Sequence, residues 1–213
     1  MNMPGRSVLR YDGAPMHKGQ LDSPKQIRSA DDSELVELAK SGDAPAFEEL
    51  VRRYRNEVFA LSYHFVRQRD TAWDISQEVF IKAYRSLAWF RGEAGFKTWL
   101  MRITANQCKD HLKKRRLQTA SLDERFHTDA PSSIERPDQS MEARELGAAI
   151  EQAVAGLPAK HQEAFVLREY EGLSYDEMAR VMQCSPGTVM SRLHHARKKL
   201  QHALACMGVM EDT

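Results

Sequence analysis

The sequence is poor in cysteine. Cys108, Cys184 and Cys206 are the only three among 213 residues, they stand far apart, and no two form a C-x-x-C pair. A disulfide scaffold or zinc ribbon is therefore not expected; reduced thiols without a structural metal are. Long apolar runs are also missing: 29% of the residues are charged, and no run approaches the roughly 20 residues needed to span a bilayer. A spanning helix is excluded, and no membrane contact of the chain's own is expected. Residues 1–30 carry cations but lack the apolar segment of about 7 to 15 residues that marks a secretory signal, which favours a cytoplasmic location. There is no Gly-rich phosphate loop, no nucleophile elbow and no H-E-x-x-H. His194, His195 and His202 could approach one face, but only Cys206 stands near them at ligand spacing. The expectation is a protein with no catalytic activity, no cofactor and no metal.

What is present is charge, sorted along the chain. The formal net charge is only +1, yet residues 79–116 hold ten basic side chains against Glu93 and Asp110. The segments on either side, 31–78 and 117–163, are acidic. A cationic block this concentrated makes a local field that a polyanion can use. A solvated helical face would show the same charge, so composition alone leaves both readings open.

Hydrophobic periodicity gives two helical modules and a tether. Residues 1–30, with Pro4, Pro15, Pro24 and three glycines, lack any apolar period and read as a disordered arm. Phe47, Leu50, Val51, Tyr54, Val58, Leu61 and Phe65 recur at three and four, which predicts a long helix over about 44–67. A second stripe follows at Ala72, Ile75, Val79, Ala83 and Leu87. A third helix should start near Gly95, turn Phe96, Trp99, Leu100 and Ile103 inward, and run out through Lys113–Arg116. Residues 117–140 carry prolines, serines and acidic side chains without periodicity and read as a flexible linker. Helical pattern resumes at 141–207, and 208–213 is a tail. No segment alternates over a strand length, so the fold class is all-α, two small helical domains at 31–116 and 141–207.

The most specific local signal lies in the second domain. Ser174-Tyr175-Asp176-Glu177 is a capping box that starts a short helix. Ser185 and Pro186 then supply the N-cap and first position of another. On this second helix Val189, Leu193, Ala196 and Leu200 fall in one narrow arc and face a core. The opposite side presents Thr188, Ser191, His194, His195 and Lys198, flanked by Arg192 and Lys199, with no carboxylate between Ser185 and Leu200. This is the pattern of a helix-turn-helix whose second helix enters a major groove. Gln183 sits where such turns often use Gly, so a left-handed backbone there carries modest strain.

Two stretches, DISQEVFIKAYRSLAWFRGEAGFKTWLMRITANQCKDHLKKRR at 74–116 and LPAKHQEAFVLREYEGLSYDEMARVMQCSPGTVMSRLHHARKKL at 157–200, together resemble the extracytoplasmic-function (ECF) sigma factors of bacterial RNA polymerase. The resemblance covers roughly residues 33–206. It implies a sigma domain 2 helical bundle and a sigma domain 4 helix-turn-helix, and it implies promoter-specific initiation, often in a stress response. The implied partners are core polymerase, through its beta-prime and beta subunits, promoter DNA and an anti-sigma factor. By the same resemblance Asp74, Gln77, Glu78 and Lys82 dock on the polymerase clamp. Phe90, Arg91 and Asn106 meet a base turned out of the minus-10 element, and Lys109, Lys113, Lys114, Arg115 and Arg116 bind its phosphates. Thr188, Ser191, Arg192 and His195 meet the minus-35 element, with Arg197 and Lys198 on phosphates. Trp73 departs from the family pattern; it either adds contact area or packs inward.

Overall fold

The computed structural model describes residues 24–120 and 141–209. Among these residues there are α-helices and one short 3-10 turn but no strand, the all-helical architecture that the periodicity predicts. The first module holds α1 (Pro24–Ser29), α2 (Asp32–Lys40), α3 (Ala44–Val66), α4 (Arg69–Ser86), the turn Leu87–Trp89 and α5 (Phe96–Ala120). The second holds α6 (Met141–Ala155), α7 (Ala159–Glu169), α8 (Tyr175–Met182) and α9 (Pro186–Cys206). Helix α1 falls inside the segment read as an arm, and α5 continues to Ala120, past the expected boundary at 116. Most of the arm, tether and tail expected at 1–30, 117–140 and 208–213 lies outside the described residues.

In the first module α3 is the central helix, packed by α2, α4 and α5. Its Leu50, Val58, Leu61 and Phe65 are buried, and so is the whole α4 stripe Ala72, Ile75, Val79, Ala83 with Leu87 beyond it. Helix α5 adds Phe96, Leu100, Met101, Ala105 and Cys108. Each such aliphatic or aromatic side chain contributes about 1.5–3 kcal/mol by leaving water. Trp99 and Ile103, expected to point inward, are only half-buried, because the core arc of α5 runs through Met101 and Ala105 instead.

Helix ends follow local chemistry. Asp31 caps α2 in a reciprocal box with Glu34, and Asp43 caps α3 by accepting from the Ala46 amide. Helix α3 ends on Arg67 at φ 56°, a left-handed position seldom taken by a side chain of this size. Its amide still donates to the Tyr63 carbonyl at 2.8 Å. The tight end turns the Arg67 side chain toward the second module, where Nη2 donates to the Glu151 carbonyl at 3.1 Å.

The core of the first module also contains a carboxylate that hydrophobic patterning does not mark. Glu49 is buried. Arg52 grips it with Nε and Nη2 at 2.7 and 2.6 Å, and Arg53 Nε donates at 3.0 Å. Arg53 also donates to Asp32 Oδ1 at 2.9 Å and to the Ala30 carbonyl at 2.7 Å, so one guanidinium ties α2 and its approach to α3. The hydrogen bonds from Arg52, helped by Arg53, outweigh burial and hold Glu49 down at about 2.

Two outcomes follow for stability and thiol chemistry. The Glu49 carboxylate is held well below its usual 4.5 in the folded state, so its stabilisation is complete above 4.5 and fades as pH falls toward 2. Glu49→Gln should therefore unfold at lower denaturant than the parent at neutral pH, with the two curves converging near pH 2; a constant gap across that range contradicts the account. Burial pushes the Cys108 thiol up to about 12, whereas Cys206 is exposed. A small alkylating reagent should modify Cys206 in the native chain and reach Cys108 only on unfolding, as peptide mass mapping would show.

Candidate nucleic-acid interface

The chain leaves α4 through the turn Leu87–Trp89 and re-enters helix at Phe96, with Gly92 at φ +72° allowing the reversal between them. Phe90, Phe96 and Trp99 form an aromatic cluster with centroids 5.0 to 6.1 Å apart, and Lys40 stands over Phe90 at 5.6 Å. Phe90, taken from sequence as a contact residue, is half-buried; it props the loop and also lines the cavity beside it. Its neighbour Trp89 is the open aromatic, 77% exposed. Trp89, Arg91, Trp99 and Arg102 line a cavity of about 400 Å³ beside the loop, with Arg180 of the second module on its wall.

Helix α5 carries the cationic face away from that cavity. Arg102, Asn106, Lys109, Lys113 and Arg116 are spaced four, three, four and three apart, so they form one stripe. Arg102, Asn106, Lys113, Lys114 and Arg116 are exposed, and Arg115 is half-buried. Lys109 Nζ sits 2.6 Å from Glu163 Oε1 of α7. Arg102 heads this stripe one turn before Asn106, a position that the Lys113–Arg116 run does not mark but the spacing does.

On α4, Asp74, Gln77, Glu78 and Lys82 are all exposed, as the docking reading requires. Glu78 and Lys82 are both hydrogen-bonded to Gln107 of α5, which joins the docking helix to the cationic one. The same outer surface carries Trp73, Ile81 and Tyr84, each about half exposed. Trp73 packs partly inward. One side lies against Phe59 at 5.3 Å between centroids and the rest faces outward.

In the second module α8 and α9 make the helix-turn-helix. Ser174 and Glu177 form the capping box, and Gln183 takes φ 53° at the turn, as expected. Ser185 accepts from the Thr188 amide at 3.2 Å. Val189, Leu193, Ala196 and Leu200 are buried. Opposite them Ser191, His194, His195, Lys198 and Lys199 are exposed, while Thr188 and Arg192 are half-buried. Arg192 Nη1 donates to Cys184 Sγ at 3.6 Å, which fixes it at the start of the helix. His161 of α7, not foreseen, joins this face with its ring 5.9 Å from that of His195. Burial, then His195, Lys199 and Arg192, hold its pKa below the usual imidazole value. Arg197 does not join the face. It lies on the far side of the core arc, where Nη2 pairs with Glu169 at 2.7 Å, since 197 is half a helical turn from 188 and 195. Among the described residues no group of three or more His, Cys, Asp or Glu is placed to hold a metal ion, and no helix is long and apolar enough to cross a membrane.

Comparison with known proteins agrees with this geometry. Residues 50–118 match Sigma-70 region 2 and residues 147–200 match Sigma-70, region 4. The chain is 43% identical over 180 residues to the RNA polymerase sigma-H factor of Pseudomonas aeruginosa, covering 81% of this chain and 93% of that one. It is 39% identical over 178 residues to the ECF RNA polymerase sigma-E factor of Escherichia coli K12, covering 80% and 93%. Among solved structures, the sigma factor RpoE bound to the anti-sigma factor NepR from Bartonella quintana superposes with TM-score 0.67 at 24% identity, over 75% of this chain and 96% of that one. CnrH in complex with the cytosolic domain of CnrY gives 0.63 at 26% identity, over 82% and 97%. With sequence relatives at this identity over nearly their full length and both sigma regions in order, the chain belongs to the ECF sigma factors of RNA polymerase.

Proposed function

We propose that the chain mounts on core RNA polymerase through the outer face of α4 and reads promoters with two surfaces, the loop and stripe of α5 at minus-10 and the exposed face of α9 at minus-35. The observation that supports this best is the continuity between the aromatic-walled cavity at Trp89 and the cationic stripe Arg102–Arg116. An unstacked base needs an aromatic face, and the strand leading from it needs spaced cations. On α4, Trp73, Ile81 and Tyr84 supply the apolar centre of a docking patch, and Asp74, Gln77, Glu78 and Lys82 its polar rim. On α9, Thr188, Ser191, Arg192 and His195 meet bases or backbone, and Lys198 meets phosphate. Arg197 is left out of the minus-35 set. Members of this family are initiation factors and catalyse nothing themselves. An anti-sigma factor is the expected regulator, since RpoE of Bartonella quintana was solved with one.

Magnitudes explain the need for polymerase. Opening about ten base pairs forfeits roughly 1.4 kcal/mol of stacking per step, about 14 kcal/mol in all, while each base stacked on an aromatic returns about 1–3 kcal/mol. Trp89 and its neighbours cannot melt a promoter alone, so docking energy must supply the remainder.

Run-off transcription with sigma-free core polymerase should yield discrete starts only when the chain is added, and mobility-shift assays of the chain alone should show no tight promoter-specific complex. Failure to direct any start removes the reading. Trp89→Ala should weaken open-complex formation by about 1–3 kcal/mol without loss of polymerase binding in pull-down. On a panel of minus-35 variants, Arg192→Ala should lower output uniformly, whereas His195→Ala should reorder the panel; identical profiles for the two would refute the assigned roles.

A further inference from the structure

The exposed face of α9 is cationic, with no carboxylate between Ser185 and Leu200, and α7 adds an imidazole to it. His161 stands in the first turn of α7 and is half-buried. Its ring lies 5.9 Å from that of His195 with 30° between the planes, and the His194 ring is 5.6 Å beyond. Lys199 and Arg192 of α9 are near enough to act on His161 through their charge. The carboxylates of its own helix are engaged elsewhere, Glu163 with Lys109 of α5 and Glu169 with Arg197 of α9, and its neighbour Lys160 is exposed. Helices α3 and α8 also pack on α7, but no charged side chain of either acts on His161. His161 Nδ1 is buried and makes no hydrogen bond, so no group of the fold fixes the tautomer of the ring or answers its charge.

Every group that faces His161 repels a proton from it. Burial, then His195, Lys199 and Arg192, hold its pKa below the usual imidazole value, so the ring is uncharged in the free chain at neutral pH. An anion set down against His161 and Lys199 reverses that balance, because an opposite charge nearby favours the protonated ring. When α9 lies in a major groove, the anions beside its flank are the phosphates of the duplex. A protonated imidazole donates to such a phosphate through a charge-assisted hydrogen bond.

We propose that His161 is a phosphate anchor of the minus-35 surface, supplied by α7 from outside the helix-turn-helix, and that it takes up a proton as a DNA phosphate seats against it and Lys199. This rests on α9 reading duplex DNA, and it adds a residue and a proton to that contact. A phosphate contact carries no sequence information but fixes register, so His161 is a positioning residue that sets how the adjacent His195 ring meets the bases. Binding that takes up a proton tightens as pH falls through the imidazole range, by up to about tenfold per pH unit for each proton. A lysine in the same place would hold the phosphate equally across that range.

The full chain and a short duplex of mixed sequence suffice for the test, because phosphate contacts do not depend on sequence. Heteronuclear NMR of the imidazole C2–H signals should show the His161 midpoint moving up when duplex is added, from below about 6.5 toward or past it. In fluorescence anisotropy, affinity of the parent chain should rise between about pH 8 and about pH 5.5, either side of the imidazole value. His161→Gln should flatten that rise, and His161→Lys should flatten it while binding more tightly than the parent at the upper pH. His202→Gln, which changes an exposed histidine beside Cys206, should follow the parent. On lowering the pH, the dependence of log K on log salt should steepen by about 0.9 more in the parent than in His161→Gln, the increment for one phosphate contact on a duplex. A His161 midpoint that duplex leaves unmoved, or identical pH profiles for the parent and His161→Gln, would overturn the proposal. The midpoint is read on the parent chain, so an unstable variant does not blunt the test. It is also read without polymerase, so failure here is distinguishable from failure to direct transcription.

Discussion

The cations spaced along one face of α5 are stabilised by any negative charge placed beside them. Arg102, Lys109, Lys113 and Arg116 lie on neighbouring turns of α5, and like charges at such spacing are mutually destabilising. Carboxylates of the second module relieve part of that repulsion, with Glu163 against Lys109 and Glu171 near Lys97. The first module holds α5 fixed beside them. Its apolar side, Phe96, Leu100, Met101, Ala105 and Cys108, is clamped by α3 and α4, so the charged side cannot rotate away from them.

The base-sized cavity depends on the same rigidity. Phe90 packs on Phe96 and Trp99, and this packing leaves Trp89 facing out at the lip of the cavity. A loop with both aromatics exposed would collapse on itself, and one with both buried would present nothing for a base to stack on. Packing part of Phe90 inward while Trp89 stays open pre-organises both rings at the cavity at low entropic cost. The helix-turn-helix reaches its geometry comparably. The left-handed Gln183 is strained in isolation, but Met178, Val181 and Met182 on one side and Val189 and Leu193 on the other are buried and over-determine the turn.

What was legible in the sequence was whatever local periodicity encodes. The stripes of α3 and α4, the Ser174 capping box, the Ser185-Pro186 helix start and the core arc of α9 all occur as expected, because each needs only residues three or four apart. What was not legible depends on distant partners. Nothing in the pattern around Glu49 announces a buried carboxylate, because its burial follows from Arg53 reaching back to Asp32 and the Ala30 carbonyl. That Trp89 is the more open of the two loop aromatics depends on where Phe96 and Trp99 sit. Arg197 looked like one more cation of a basic helix until α7 placed Glu169 beside it. The tethered reading of the two domains carried no hint that Glu163 and Glu171 would be buried against the basic block, since contacts between modules leave no periodic trace in either.

The ion pairs of the shared face are individually weak. Partly exposed ion pairs contribute about 0–1 kcal/mol each, too little to join two separate molecules, but covalent linkage raises their effective concentration to the millimolar range. Such a face is held by the linkage of the chain as much as by its own ion pairs. Titration at the face works in both directions. In the closed form burial pushes Glu171 up to about 7 from 4.5, so this carboxyl favours closure as pH falls through that window. Burial and the nearby Arg67 push His64, whose ring lies 4.2 Å from that of Tyr170, down to about 4 from 6.5, so the imidazole favours opening over 6.5 to 4. Below about 6.5 the two oppose each other, and between about 6.5 and 7 Glu171 acts alone. The two shifts therefore largely cancel between about 4.5 and 6.5, so acidity alone does little to this face over that range.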